Sequence, residues 1–169
     1  DVPFSAGKFD IEDFTKYLVD FFRDLSPDLN VMAVCQPAPL ALAAAAITSE
    51  RFHEFNPKSL TLIGGPIDPD ANPTDVTDFG RRTSMEALES TVTMPVGLNY
   101  KGVGREVYPG AIQLASFMAM NQETHSKAFI DQIEKEAAGQ ASEYDRHNKF
   151  YDEYLAVMDM TAEFYLSTV

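Results

Sequence analysis

The chain is poor in cysteine and in basic residues. A single cysteine, Cys35, cannot form an internal disulfide, which points to a reducing compartment. Thirteen Lys and Arg stand against 26 Asp and Glu, a formal net charge of −13. Nucleic acid and anionic membrane surfaces both need a basic footprint, so neither is an expected partner. No stretch has the length and apolarity of a membrane span. No internal repeat occurs, and the only low-complexity tract is the alanine run at 43–46. The chain opens on DVPFSAGKFD, with neither an initiator methionine nor a signal peptide, so its start reads as a processing or expression boundary. What remains is 169 residues of which 45% are hydrophobic, enough for one domain with a sizeable core.

The first third reads as alternating helix and strand. Phe14, Tyr17, Leu18, Phe21, Phe22 and Leu25 recur at three- and four-residue spacing and predict a helix over 10–25. Asp10 suits its N-cap, Asp13 its first turn, and Phe9 and Phe14 form the two ends of a hydrophobic staple. Ser26-Pro27-Asp28 ends it. Residues 30–35 (NVMAVC) are short, apolar and β-branched and read as a buried strand. Pro37 and Pro39 then open a helix to about Ser49. Residues 59–64 (SLTLIG) repeat the buried-strand pattern, stopped by Gly64-Gly65-Pro66. Such an order predicts an α/β arrangement with a parallel sheet.

Beyond Gly65 the pattern is helical, with short helices over 72–91 begun by Asn72-Pro73-Thr74-Asp75 and a Gly- and Pro-rich loop over 94–110. Helices are predicted over 111–120, 122–138 and 142–168, the last with Phe150, Tyr151, Tyr154, Leu155, Met158, Ala162, Tyr165 and Leu166 near one face. No strand is predicted after Gly65. Two strands do not make a parallel sheet covered on both sides, so further strands are expected from a partner or from a longer protein.

The chemistry centres on Cys35. In α/β-hydrolases the nucleophile occupies a sharp strand-to-helix turn with small residues two positions to either side. The turn exposes the nucleophile, and the next N–H faces the developing oxyanion. Ala33-Val34-Cys35-Gln36-Pro37 fits with a small Ala33, and with Pro37 in place of the usual glycine. The positive end of a helix suits an anion there. The other reading is a small buried hydrophobe, the commonest fate of a free cysteine. A base is harder to find: His53, His125 and His147 follow no strand and read as solvated helix-side histidines, and their spacing makes no metal motif. Asp68 lies past a strand end and suits a triad acid or, more commonly, a turn or helix start, with Asp70 and Asp75 as helix-start charges.

Four stretches, VCQPAPLALAA at 34–44, LIGGPIDPDANPT at 62–74, YPGAIQLASFMAMN at 108–121 and FYDEYLAVMDMTAEFYLSTV at 150–169, together resemble the intracellular polyhydroxyalkanoate (polyhydroxybutyrate) depolymerases. That family consists of α/β-hydrolases with a cysteine nucleophile, and Pro37 fits its CQP pattern. The resemblance implies that Cys35 is the nucleophile and that the Gln36 N–H joins the oxyanion hole. Residues 1–71 would then belong to the hydrolase core, and 72–169 to a mostly helical cap over the active site. The family's catalytic aspartate and histidine would follow Val169 and its early strands precede Asp1, making this chain an internal part of a depolymerase. The implied reaction is two-step ester hydrolysis, without metal or organic cofactor, on a polyhydroxyalkanoate granule or oligomer in the cytoplasm. Exposed residues of LNYKGVG and the region Met118–Met120 are the expected granule contacts. The alternatives are synthase-like acyl transfer, whose enzymes keep a glycine after the cysteine, and a non-catalytic granule-associated helical module.

Overall fold

The computed structural model describes residues 2–169. In chain order the elements are α1 (Ile11–Leu25), β1 (Asn30–Val34), α2 (Pro37–Arg51), β2 (Ser59–Ile63), α3 (Asp75–Arg82), α4 (Met85–Val92), β3 (Met94–Pro95), β4 (Glu106–Tyr108), α5 (Gly110–Met120), α6 (Gln122–Ala137), α7 (Ala141–Tyr154), β5 (Met160–Thr161) and α8 (Ala162–Thr168). The class is mixed α/β and mostly helical. The chain divides into two units, Ser5–Glu89 with Glu163–Val169, and residues 1–4 with Ser90–Ala162. Among the described residues no helix is long and apolar enough to cross a membrane.

In the first unit the expected helix–strand–helix–strand order is present. Asp10 caps α1 by accepting from the Glu12 and Asp13 N–H groups, and the Asp13 carboxylate accepts from the Asp10 N–H in return. The Lys8 ammonium at 2.6 Å, and then the Asp13 N–H, hold the Asp10 carboxyl below the usual carboxylate range. Phe9 and Phe14 meet edge to face at 6.3 Å, as the staple requires. Phe164 of α8 closes on both, at 5.7 and 5.6 Å between centroids. The buried stripe of α1 is narrower than its spacing suggested. Phe22 is buried and Phe14 and Leu18 half-buried, whereas Tyr17, Phe21 and Leu25 face solvent.

β1 and β2 pair in parallel, Asn30 opposite Ser59 through Val34 opposite Ile63. Ala33, Ala38 and Ala41 form the buried centre, with Leu18, Val31, Leu60 and Leu62 packed on it. Methyl side chains keep the gap between α2 and the sheet small. Thr48, fully buried, is satisfied by donating to the Ala44 and Ala45 carbonyls. The strands are not buried on both faces as their composition predicted. Alternate residues Met32, Val34 and Ile63 point to solvent, because helices cover only the Val31–Ala33–Leu60–Leu62 side. A continuous apolar run is the signature of a strand with two covered faces, and here one of them is bare.

The second unit corrects two expectations. Three short strands do follow Gly65, antiparallel in the order β3–β4–β5, with β3 and β4 inside the stretch read as a loop. Strands of two or three residues are too short to show alternation, so no pattern betrays them. The predicted helix over 142–168 is also interrupted, by residues 155–161. Tertiary hydrogen bonds win over helical periodicity there. The Gly110 N–H donates to Asp159 Oδ1 at 2.8 Å, and Gln113 Nε2 donates to the Tyr108 and Met158 carbonyls at 3.0 and 3.1 Å. Gly110 lets the segment come this close: a Cβ there would lie 2.2 Å from the Val157 carbonyl oxygen. Met158, placed by periodicity on a buried stripe, is 84% exposed, and Leu155 is exposed as well.

Candidate active site

β1 ends where Cys35 turns the chain. The Cys35 N–H donates to the Ile63 carbonyl at 2.7 Å, and its own carbonyl accepts from the Ala38 N–H at 3.0 Å. Between these two anchors the residue adopts φ 63°, the only left-handed φ of a non-glycine residue among the described ones. For a residue with a Cβ that conformation costs roughly 1–2 kcal/mol. It persists because the parallel ladder fixes one side of the turn and the first turn of α2 fixes the other. The thiol is exposed, so the alternative of a small buried hydrophobe does not hold.

Gln36 follows in helical conformation, φ −53° and ψ −36°, and α2 begins at Pro37 with no side-chain cap. A helix start normally presents several unpaired N–H groups. Here Pro37 and Pro39 have none, and that of Ala38 is used by Cys35. The Gln36 N–H makes no backbone hydrogen bond to another described residue. The corner therefore offers one exposed thiol and, on the next residue, one free backbone donor. That pair suits attack on a carbonyl with a hydrogen bond to the oxygen that becomes charged.

Gly65, which local pattern marks only as a strand stop, is part of the corner. A Cβ on Gly65 would lie 2.2 Å from the Ala38 Cβ and 2.7 Å from the Cys35 carbonyl oxygen. The chain leaving β2 thus presses directly against the turn leaving β1. The sequence signal was present, as a glycine pair at the end of the neighbouring parallel strand, but only the register of the two strands shows which glycine meets Cys35.

The remaining polar candidates have other work. Asp68 lies past the end of β2, and its Oδ1 accepts from the Asp70 and Ala71 N–H groups at 3.0 and 3.1 Å, which makes it a turn residue. Asp75 opens α3 beside the N-cap Thr74, as expected. Asp70 does not; it pairs with the Arg81 guanidinium. His53 is exposed and follows α2, whose 15 residues carry the chain about 22 Å from Cys35 to the opposite end of the parallel sheet.

His125 departs from the expected solvated histidine. It is half-buried on α6, with Nδ1 2.9 Å from the Tyr151 hydroxyl and Nε2 3.3 Å from that of Tyr154. Burial, and after it Tyr154, pushes the Tyr151 phenol up from its ordinary value, so it stays a hydroxyl. A neutral imidazole donates from one nitrogen and accepts at the other, so two hydroxyls use both and His125 serves to join α6 to α7. His147, also half-buried, lies over Tyr151 at 4.5 Å and against Phe129 at 5.5 Å. Among the described residues no group of three or more His, Cys, Asp or Glu could hold a metal ion.

The family model described as PHB de-polymerase C-terminus matches residues 64–169. The chain belongs to that family. The match begins one residue before Gly65 and takes in Asp68, the three-stranded sheet and the helices from α3 to α8. Cys35 and Gln36 lie outside the matched residues. No curated protein and no solved structure matches the chain.

Proposed function

We propose that this chain is part of a longer depolymerase that hydrolyses the ester bonds of polyhydroxyalkanoate, poly(3-hydroxybutyrate) in particular, through an acyl-enzyme on Cys35. The observation that carries the reading is the strained, solvent-facing Cys35 at a strand-to-helix corner, in a chain of the polyhydroxybutyrate depolymerase family. Non-glycine residues with left-handed φ cluster at functional sites, because only a functional gain offsets their strain.

In this scheme the Cys35 thiolate attacks the ester carbonyl carbon while the Gln36 N–H hydrogen-bonds the oxygen as it becomes negative. Collapse of the tetrahedral intermediate breaks the C–O bond. The alkoxide leaves with a proton from a general acid, and the acyl group stays on sulfur as a thioester. Water attacks the thioester with help from a general base and releases a hydroxyacid or short oligomer and the thiol. Residues 72–169 serve as the helical cap. Two features support a longer chain: the bare face of the β1–β2 sheet, and the position of His53, the nearest histidine in sequence, at the opposite end of that sheet.

Iodoacetamide tests the role of the thiol. The full-length enzyme is expected to lose hydrolysis of a soluble nitrophenyl ester in proportion to carboxamidomethylation of Cys35, followed by peptide mass spectrometry. Full turnover by protein fully alkylated at Cys35 would exclude the thiol as nucleophile.

A further inference from the structure

The hairpin joining β3 to β4 carries its apolar side chains outward. Its ten residues, 96–105, are held by nested backbone hydrogen bonds: Val96 N–H to Arg105 O, Gly104 N–H to Val96 O, Tyr100 N–H to Gly97 O, Val103 N–H to Tyr100 O and Arg105 N–H to Gly102 O, all between 2.9 and 3.2 Å. The loop is ordered, yet Leu98 is 91% exposed and Tyr100 59%. Val103 and Lys101 face solvent beside them.

The chain's first residues extend this surface. Arg105, buried, donates from Nη2 to the Pro3 carbonyl at 2.7 Å and lies over the Phe4 ring at 5.9 Å. A Cβ on Gly102 would meet the Val2 carbonyl oxygen at 3.0 Å, so this glycine lets residues 2–4 lie against the hairpin. Val2 and Phe4 themselves are 62% and 64% exposed. Residues 2–4, about a hundred residues away in sequence, thereby lie against the hairpin with their own apolar side chains exposed. Isolated exposed apolar residues are common on soluble proteins, but a gathered set on an ordered scaffold marks an interaction site.

We propose that Val2, Phe4, Leu98, Tyr100 and Val103 form a docking surface for the water-insoluble polyester. The proposal rests on the depolymerase reading for its choice of occupant, and charge supports that choice. In a chain with twice as many acidic as basic residues, no carboxylate occurs between Glu89 and Glu106. A polyester surface exposes apolar backbone and side groups, with ester carbonyls as acceptors and carboxylates at chain ends. Apolar side chains with the Tyr100 hydroxyl and Lys101 ammonium match that chemistry, and the hairpin stretch carries no carboxylate to oppose it. An anionic bilayer is a poor alternative for a chain of net charge −13. The backbone hydrogen bonds hold the tip before contact, which lowers the entropy lost on docking.

The test is co-sedimentation with amorphous poly(3-hydroxybutyrate) granules. The full-length enzyme is expected to bind granules in preference to phosphatidylcholine vesicles. Leu98→Asp with Tyr100→Asp is expected to weaken granule binding by about tenfold or more, as two large apolar side chains are lost from the contact. Thermal melting and turnover of a soluble ester should not change. Leu98→Met should bind as the unsubstituted protein does. If the double variant melts early, Leu98→Asn alone is the substitute, because a side chain 91% exposed has almost no internal contacts to lose. Granule binding unchanged in these variants, or stronger binding to vesicles than to granules, overturns the docking surface. Normal granule binding by an enzyme that does not need Cys35 for soluble esters would instead overturn the catalytic reading and leave the surface standing.

Discussion

Cys35→Ala in the full-length enzyme is expected to lower hydrolysis of a soluble nitrophenyl ester by about three to six orders of magnitude, the range for removal of a catalytic nucleophile. Folding should survive the change, since the exposed thiol contributes little packing. Cys35→Gly makes the cause explicit. Glycine adopts φ 63° without the Cβ clash, a relief of roughly 1–2 kcal/mol. It also gives the unfolded chain extra freedom, which takes back about 0.4–1 kcal/mol. The glycine variant should therefore be as inactive as the alanine variant and as stable as the natural protein or more so, by up to about 1.5 kcal/mol. Denaturant midpoints read beside ester kinetics check both halves. Substantial turnover by either variant would show that Cys35 holds the turn without reacting, and a clear loss of stability in Cys35→Gly would show that the corner is not strained.

Gly65→Ala is expected to have the second largest effect. The new methyl group would meet the Ala38 Cβ at 2.2 Å and the Cys35 carbonyl oxygen at 2.7 Å. Neither neighbour can swing away, because one is fixed to the first turn of α2 and the other is backbone. Overpacking of this kind costs roughly 1–3 kcal/mol. Relief by backbone movement would shift Cys35 relative to the Gln36 N–H, and a displacement of about 1 Å at a reacting group lowers turnover by about a hundredfold. Gly64→Ala is the comparison. Gly64 has a left-handed φ, 61°, which Gly65 does not, and open space around its Cβ position, so Gly64→Ala should lose stability without a comparable loss of turnover. Ala38→Gly should partly rescue Gly65→Ala by removing the nearer clash. Equal turnover in Gly65→Ala and the unsubstituted enzyme would mean that the contact between β2 and the corner does not position the thiol.

The parts of the fold that were legible in sequence are those written in local patterns. Asp10, Asp13 and the Phe9–Phe14 pair fix the start of α1, the β-branched runs mark β1 and β2, and Pro37 marks the first turn of α2. Local pattern also placed Cys35 at the end of a strand. It could not show the φ of 63°, which results from two hydrogen bonds to partners in different elements. Nor could it show that Gly65 presses on Ala38, because that depends on the register between β1 and β2. The break at 155–161 was hidden for a related reason. The stripe from Phe150 to Leu166 has helical spacing, and the groups that divert the chain, Gly110 and Gln113, lie more than forty residues earlier. His125 looked like a surface residue because its two tyrosine partners are on the next helix. Short strands and distant polar contacts share one property: the residues involved carry no periodicity of their own.

The most direct measurement is the identity of the covalent intermediate. The full-length enzyme is mixed with a slowly hydrolysed 3-hydroxybutyrate oligomer ester, quenched in acid during turnover, digested and read by mass spectrometry. The mechanism requires an acyl group on the peptide containing Cys35, labile to hydroxylamine as a thioester and absent from Cys35→Ala. An acyl group on a serine, or turnover by the Cys35→Ala enzyme at the natural rate, would contradict it.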